Sequence, residues 1–253
     1  MCMIVRTIRE GDGPTYVLLP GYMFDAWSLE KLASKLSNSR VIIVEHTTDN
    51  AIVNLSLWAN ELSHRLSSID ADKFYLVGYS MGGWLAQYYA QSHSDSVEGL
   101  ILCGTCWAND FSQFSVTNWI DFLDYLYSLE RHTFVKISLW NSLSCVSKSD
   151  QAYMSEVQSL MNSNFPKYQD CLYQIKLMGL LVNQDLILSF DKKILVLYSN
   201  HDLVIPASLS RNLVKHYSSA YTYSLDGGHL FVHENATECS RIIKKWVGDV
   251  CCT

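Results

Sequence analysis

Phe74-Tyr75-Leu76-Val77-Gly78-Tyr79-Ser80-Met81-Gly82-Gly83-Trp84-Leu85-Ala86 joins an apolar run to a helical pattern through one serine set between glycines. Phe74 to Val77 has the continuous apolar character of a strand buried on both faces. Met81 to Gln91 places Leu85, Ala86, Tyr89 and Ala90 at helical spacing. A serine at such a tight strand-to-helix turn is held in a strained conformation, with its hydroxyl standing clear of the sheet edge. Gly78 and Gly82 leave room for close packing around the turn. The helix behind Ser80 aims its positive end at any negative charge that develops there.

Outward from this turn, short apolar strands alternate with longer helical stretches. Toward the N-terminus lie strands at Cys2 to Ile8, Tyr16 to Leu19 and Val41 to Val44. Helices at Ala26 to Leu36 and Leu55 to Ile69 separate them. Leu100 to Cys103 is the next strand. This rhythm predicts an α/β fold whose mostly parallel, doubly wound sheet carries helices on both faces. From Trp107 to Asp185 the rhythm breaks into helical patterns rich in aromatic residues. Sheet signals then resume with Ile194 to Tyr198, helix Ser208 to His216, strand Ala220 to Leu225 and helix Ala236 to Val247. The expected organisation is a core of residues 1–106 and 186–253, with residues 107–185 inserted as a helical cap.

A serine hydroxyl is a weak nucleophile and needs a base. Of eight histidines, His229 is best placed, in the loop after the last strand, where it should reach the same sheet edge as Ser80. His233 is its main rival. His46 ends a strand and could line a pocket, while His64 and His216 lie within predicted helices. The base needs an acid to fix its tautomer. Asp202 follows the strand Ile194 to Tyr198 and should emerge at the carboxyl edge, where open α/β sheets bind ligands. Asp226 more naturally serves a turn. The order Ser80, Asp202, His229 therefore gives a nucleophile, an orienting acid and a base. An oxyanion hole would draw one backbone N–H from Met81 and a second from Tyr22, in the loop Pro20-Gly21-Tyr22-Met23.

On these residues the chain resembles the α/β-hydrolases over almost its full length. The resemblance rests on Gly78-Tyr79-Ser80-Met81-Gly82-Gly83, the Asp202 loop, Gly228-His229 and the inserted cap. Within that superfamily it is most similar to the small bacterial carboxylesterases that demethylate pimeloyl-carrier-protein methyl ester in biotin synthesis. The stretch Leu76 to Gly83 and the cap entry Trp107 to Phe114 carry that similarity. It implies a serine carboxylesterase that uses no cofactor and no metal, acting on an acyl ester presented by an acyl carrier protein. The 2-succinyl-cyclohexadiene-carboxylate synthases of menaquinone synthesis share the frame. An acyl thioesterase or a non-catalytic ligand-binding member are further alternatives.

The sequence also departs from that pattern. Pro20-Gly21 replaces the usual His-Gly, and Glu45-His46-Thr47-Thr48-Asp49-Asn50 replaces a glycine-rich loop. The cap carries Arg131, Lys136, Lys148, Lys167 and Lys176 against eight acidic residues, a weak surface for an acidic carrier. Its aromatic residues predict an apolar pocket, with Trp107, Phe111, Phe114, Phe122 and Phe134 as candidate walls.

Composition narrows the classes further. The 253 residues are 49% hydrophobic and 17% charged, enough for a sizeable core and incompatible with global disorder. A net charge of −6 without a basic block disfavours nucleic-acid binding. No apolar run approaches a membrane span, and Arg6 and Arg9 come too early for a signal-peptide core. A cytoplasmic protein with mostly buried, reduced thiols is the expectation. Cys103 and Cys106 have CxxC spacing but lack a second pair at zinc spacing.

Overall fold

The computed structural model describes residues 3–47, 53–111, 114–184, 190–217 and 219–251. Seven strands form one sheet: β1 (Met3–Arg9), β2 (Thr15–Leu19), β3 (Arg40–His46), β4 (Phe74–Tyr79), β5 (Val97–Cys103), β6 (Ile194–Ser199) and β7 (Ala220–Leu225). Their spatial order is β1-β3-β2-β4-β5-β6-β7. β1 runs antiparallel to β3, and every other pairing is parallel. The central strands are buried along their lengths because helices cover both faces, which is why they read as unbroken apolar runs.

The chain goes left from β2 to β3 and then crosses back to β4 on the other side. Loops leaving the carboxyl ends of β2 and β4 therefore diverge around a crevice, the usual place for a ligand in an open α/β sheet. Tyr22 follows β2, and Ser80 follows β4.

Helices α1 (Trp27–Lys35), α2 (Leu55–Ser67) and α3 (Met81–Ser92) connect the first strands. α2 starts at Asn54, whose side chain accepts the Leu57 N–H at 2.9 Å, a cap that stabilises a helix by about 1 kcal/mol. It ends at Ser67, two residues short of the expected Ile69, because the chain turns at Asp70 with φ 55°.

Between β5 and β6 lie α4 (Val116–Ser128), α5 (Arg131–Ser142), α6 (Cys145–Ser149), α7 (Gln151–Ser163) and α8 (Tyr168–Val182). Side chains of Ser115, Ser144 and Asp150 cap α4, α6 and α7. These helices pack on one another through aromatic rings, and their buried residues join the same core as the sheet. Tyr127 meets Phe134 edge-on at 5.1 Å, and Phe165 lies 4.8 Å from Phe134. The remaining helices are α9 (Ala207–His216), the single turn α10 (Phe231–Glu234) and α11 (Ala236–Cys251). The sequence pattern assigns no helix to the α10 stretch and starts the closing helix at Ala236, where α11 begins. Among the described residues no helix is long and apolar enough to cross a membrane.

Candidate active site

Ser80 sits between β4 and α3 with φ 52° and ψ −120°. This backbone is costly for a residue with a Cβ, and persists only where the surroundings enforce it. The Ser80 N–H donates to the Cys103 carbonyl at 2.9 Å, pinning the turn to β5. Gly82 passes so close to β2 that a Cβ there would lie 2.2 Å from the Leu19 carbonyl oxygen. The serine is therefore locked from both neighbouring strands.

The structure brings Ser80, His229 and Asp202 into one chain of hydrogen bonds. Asp202 Oδ2 lies 2.7 Å from His229 Nδ1, and His229 Nε2 lies 2.8 Å from Ser80 Oγ. A carboxylate only accepts, so Nδ1 carries the proton and Nε2 is free to accept from the Ser80 hydroxyl. The other Asp202 oxygen, Oδ1, accepts the N–H groups of Val204 and Ile205, each at 2.8 Å. The loop thus holds the carboxylate by Oδ1 and leaves Oδ2 facing the ring. Asp202 and His229 are both buried, which strengthens their interaction relative to water. Tyr79 packs its ring 5.2 Å from that of His229. Burial first, and then the nearby Asp202 charge, push the Tyr79 phenol well above its ordinary range and keep it neutral.

The rivals lie elsewhere. His233 is buried with its Nδ1 2.8 Å from the Tyr153 hydroxyl and its ring beside Trp27. His46 is buried, stacks on Trp58 and is not among the residues lining the cavity at Ser80. Burial without a partner moves its imidazole down to about 4. His216 stacks on Trp107 at 4.5 Å. His201 is exposed, and Asp226 gives its carbonyl to the Asn235 amide. The departing loop at Thr48 to Asn50 lies outside the described residues.

The Met81 N–H belongs to the first turn of α3, where backbone donors have no partner within the helix. The β2 loop approaches the nucleophile closely, since a Cβ on Gly21 would lie 3.1 Å from Ser80 Cβ. Tyr22 is thereby placed beside the serine. Its ring meets Trp119 of α4 edge-on at 5.3 Å.

A cavity of about 170 Å³ opens from Ser80 and His229. Phe111 and Phe122 line it, as do Trp84, Trp119, Met178 and Ile205. Three candidates from the sequence are not among its lining residues. Phe134 is spent inside the inserted helices against Tyr127 and Phe165. Trp107 is taken up by His216, and Phe114 packs on Trp84 and Trp119. Aromatic character alone could not say which rings the helices would use for their own packing.

Two residues at the site had no signal in the sequence. Glu234 accepts the Gly228 N–H at 2.6 Å and the Ser144 N–H at 2.8 Å, tying the His229 loop to the start of α6. Gln174 of α8 accepts the Met23 N–H at 3.1 Å. These pairs are 90 and 151 residues apart in the Ser144 and Met23 bonds, so only folding brings them together. Among the described residues no group of three or more His, Cys, Asp or Glu is arranged to hold a metal ion.

The family model described as alpha/beta hydrolase fold matches residues 61–136, which include the Ser80 turn. No curated protein matches the chain. Solved structures match over nearly all of it. An esterase from Thermogutta terrifontis shares 17% identity at a TM-score of 0.82, covering 98% of this chain and 93% of its own. The enol-lactonase of Burkholderia xenovorans LB400 shares 18% at 0.77, covering 97% and 96%. A bromoperoxidase from Bacillus anthracis shares 14% at 0.79, covering 97% and 95%. The protein has the α/β-hydrolase fold, and likenesses at this identity establish the fold alone.

Proposed function

We propose that this protein is a serine hydrolase of carboxylic esters with an apolar acyl group. The observation that carries the reading is the unbroken chain Ser80–His229–Asp202 at the end of an apolar cavity. In this reading Ser80 Oγ attacks the ester carbonyl while its proton passes to His229 Nε2. The oxyanion is held by the N–H groups of Met81 and Tyr22. The carbon–oxygen bond to the alcohol breaks as His229 returns the proton to the leaving oxygen. Water, deprotonated by His229, then attacks the acyl-serine, and the acid leaves with Ser80 restored. Asp202 stabilises the imidazolium throughout.

At the finer level the substrate is a pimeloyl methyl ester on its carrier protein. The apolar walls suit a polymethylene chain, and two of the lining residues, Phe122 and Asn141, are exposed to solvent. No Lys or Arg lines the cavity among the described residues, which favours an ester over the dicarboxylate lyase substrate of menaquinone synthesis.

The test is turnover of p-nitrophenyl butyrate and of methyl-pimeloyl-carrier protein by wild type and Ser80→Ala. Serine-dependent cleavage of both, with the carrier-bound ester strongly preferred, is the expected result. The variant should lose about 10⁴-fold or more in kcat. Cleavage of the small ester alone rejects the carrier-bound substrate. Undiminished turnover in Ser80→Ala rejects the mechanism.

A further inference from the structure

The loop that would supply the Tyr22 N–H is gripped by the inserted helices as well as by the sheet. Gly21 lies against Ser80, so a small shift of the loop moves Tyr22 relative to the nucleophile. Met23, the next residue, has φ 67°, the left-handed region that a side chain with a Cβ enters at a cost. Such a residue needs an external hold. That hold is Gln174 of α8, whose Oε1 accepts the Met23 N–H from a side chain that is itself buried. On the other side of the same peptide segment, the Tyr22 ring is fixed edge-on against Trp119 of α4. One residue is thus anchored by its side chain and the next by its backbone, both to elements inserted between β5 and β6.

We infer that Gln174 is a positioning residue for the oxyanion hole: its bond to the Met23 N–H fixes the Tyr22–Met23 peptide and, through the Tyr22 backbone, the aim of the Tyr22 N–H at the substrate oxygen. The inference rests on the serine-hydrolase reading above. It makes the inserted helices part of the hydrolytic geometry as well as a wall for the acyl group. When α8 is displaced, Met23 loses its acceptor and the second donor loses its aim. Gln174 touches no reacting atom, and its effect passes through the backbone of residues 22 and 23.

The test compares wild type with Gln174→Met, which keeps the length of the side chain and removes the acceptor, and with Gln174→Glu, which keeps an acceptor oxygen. Hydrogen exchange at the Met23 amide reads the clamp without reference to turnover. It should speed up in Gln174→Met and stay slow in Gln174→Glu. Steady-state kinetics on p-nitrophenyl butyrate should show kcat lower by about 10- to 100-fold in Gln174→Met, below the loss of a whole oxyanion donor, with KM within about twofold. The inhibition constant of a trifluoromethyl ketone, whose adduct with Ser80 carries the oxyanion, should rise by the same factor as kcat falls. Gln174→Glu should recover most of both.

A folded Gln174→Met protein with unchanged kcat and unchanged ketone affinity overturns the inference. So does a loss of kcat that leaves ketone affinity untouched, since that points to a general structural defect. The reading beneath it is checked separately by labelling wild type with a fluorophosphonate. If Ser80 is not labelled and wild type turns over no ester, the serine-hydrolase reading fails, and the catalytic role of Gln174 falls with it.

Discussion

At the scale of single residues, the site is a set of backbone and hydrogen-bond constraints that leave few choices. Ser80 tolerates its positive φ because its N–H is bound to Cys103 and Gly82 lets β2 pass at contact distance. Asp202 uses one oxygen on its own loop and the other on His229. Asn at this position can present its amide nitrogen to Nδ1, which would then have to accept and leave the proton on Nε2. The ring would face Ser80 as a donor. Asp202→Asn should therefore keep its fold and lose about 10⁴-fold in kcat. A matched melting temperature with that loss is the expected pair of results. A loss of only a few-fold would mean that Asp202 does not set the tautomer.

At the scale of elements, the inserted helices divide their aromatic residues between internal packing and the cavity. Phe134 is fully buried against Tyr127 and Phe165. Phe122 stands 43% exposed at the cavity wall. Truncating them should therefore have opposite consequences. Phe134→Ala should lower stability to denaturant by about 3–5 kcal/mol through lost burial and a residual cavity. Phe122→Ala should leave the unfolding midpoint nearly unchanged and raise KM for an apolar ester several-fold. Parallel urea melts and ester kinetics on the two variants decide this, and equal effects on stability would contradict the division of roles.

At the scale of the whole molecule, buried titratable groups outside the site set how stability depends on pH. His46 and His233 are both held down to about 4, chiefly by burial. Their folded values lie below the ordinary histidine value of 6.5. The stability they contribute is thus fully present above 6.5 and is lost as pH falls toward 4. Neither ring nitrogen of His46 has a partner among the described residues. His46→Leu should make the fall in melting temperature between pH 6.5 and 4 shallower, and an unchanged slope would show that His46 is not a cause of it. Asp25 works in the opposite direction. Burial, and after it the charge of Glu45, raise its carboxyl to about 7 from 3.8. The stability tied to its protonated form is present below 3.8 and is lost as pH rises through 7. Asp25→Asn should melt higher than wild type at pH 8 and about equally at pH 4.

Much of this was legible in the chain itself. Buried parallel strands announce themselves as short apolar runs because both faces are covered, and the glycines around Ser80 mark a turn too crowded for side chains. Strand, turn and helix are local, so a sequence determines them, and with them the sheet edge where Ser80, Asp202 and His229 all emerge. What the sequence could not determine is which distant groups meet. Phe111 and Phe122 reach the cavity while Phe134 does not, because helix–helix packing assigns the faces. Gln174 finds Met23, and Glu234 holds Gly228 and Ser144, through bonds that close only when the inserted helices dock on the core. Periodicity fixes what each segment becomes, whereas the burial of one segment against another decides which polar groups must find partners there.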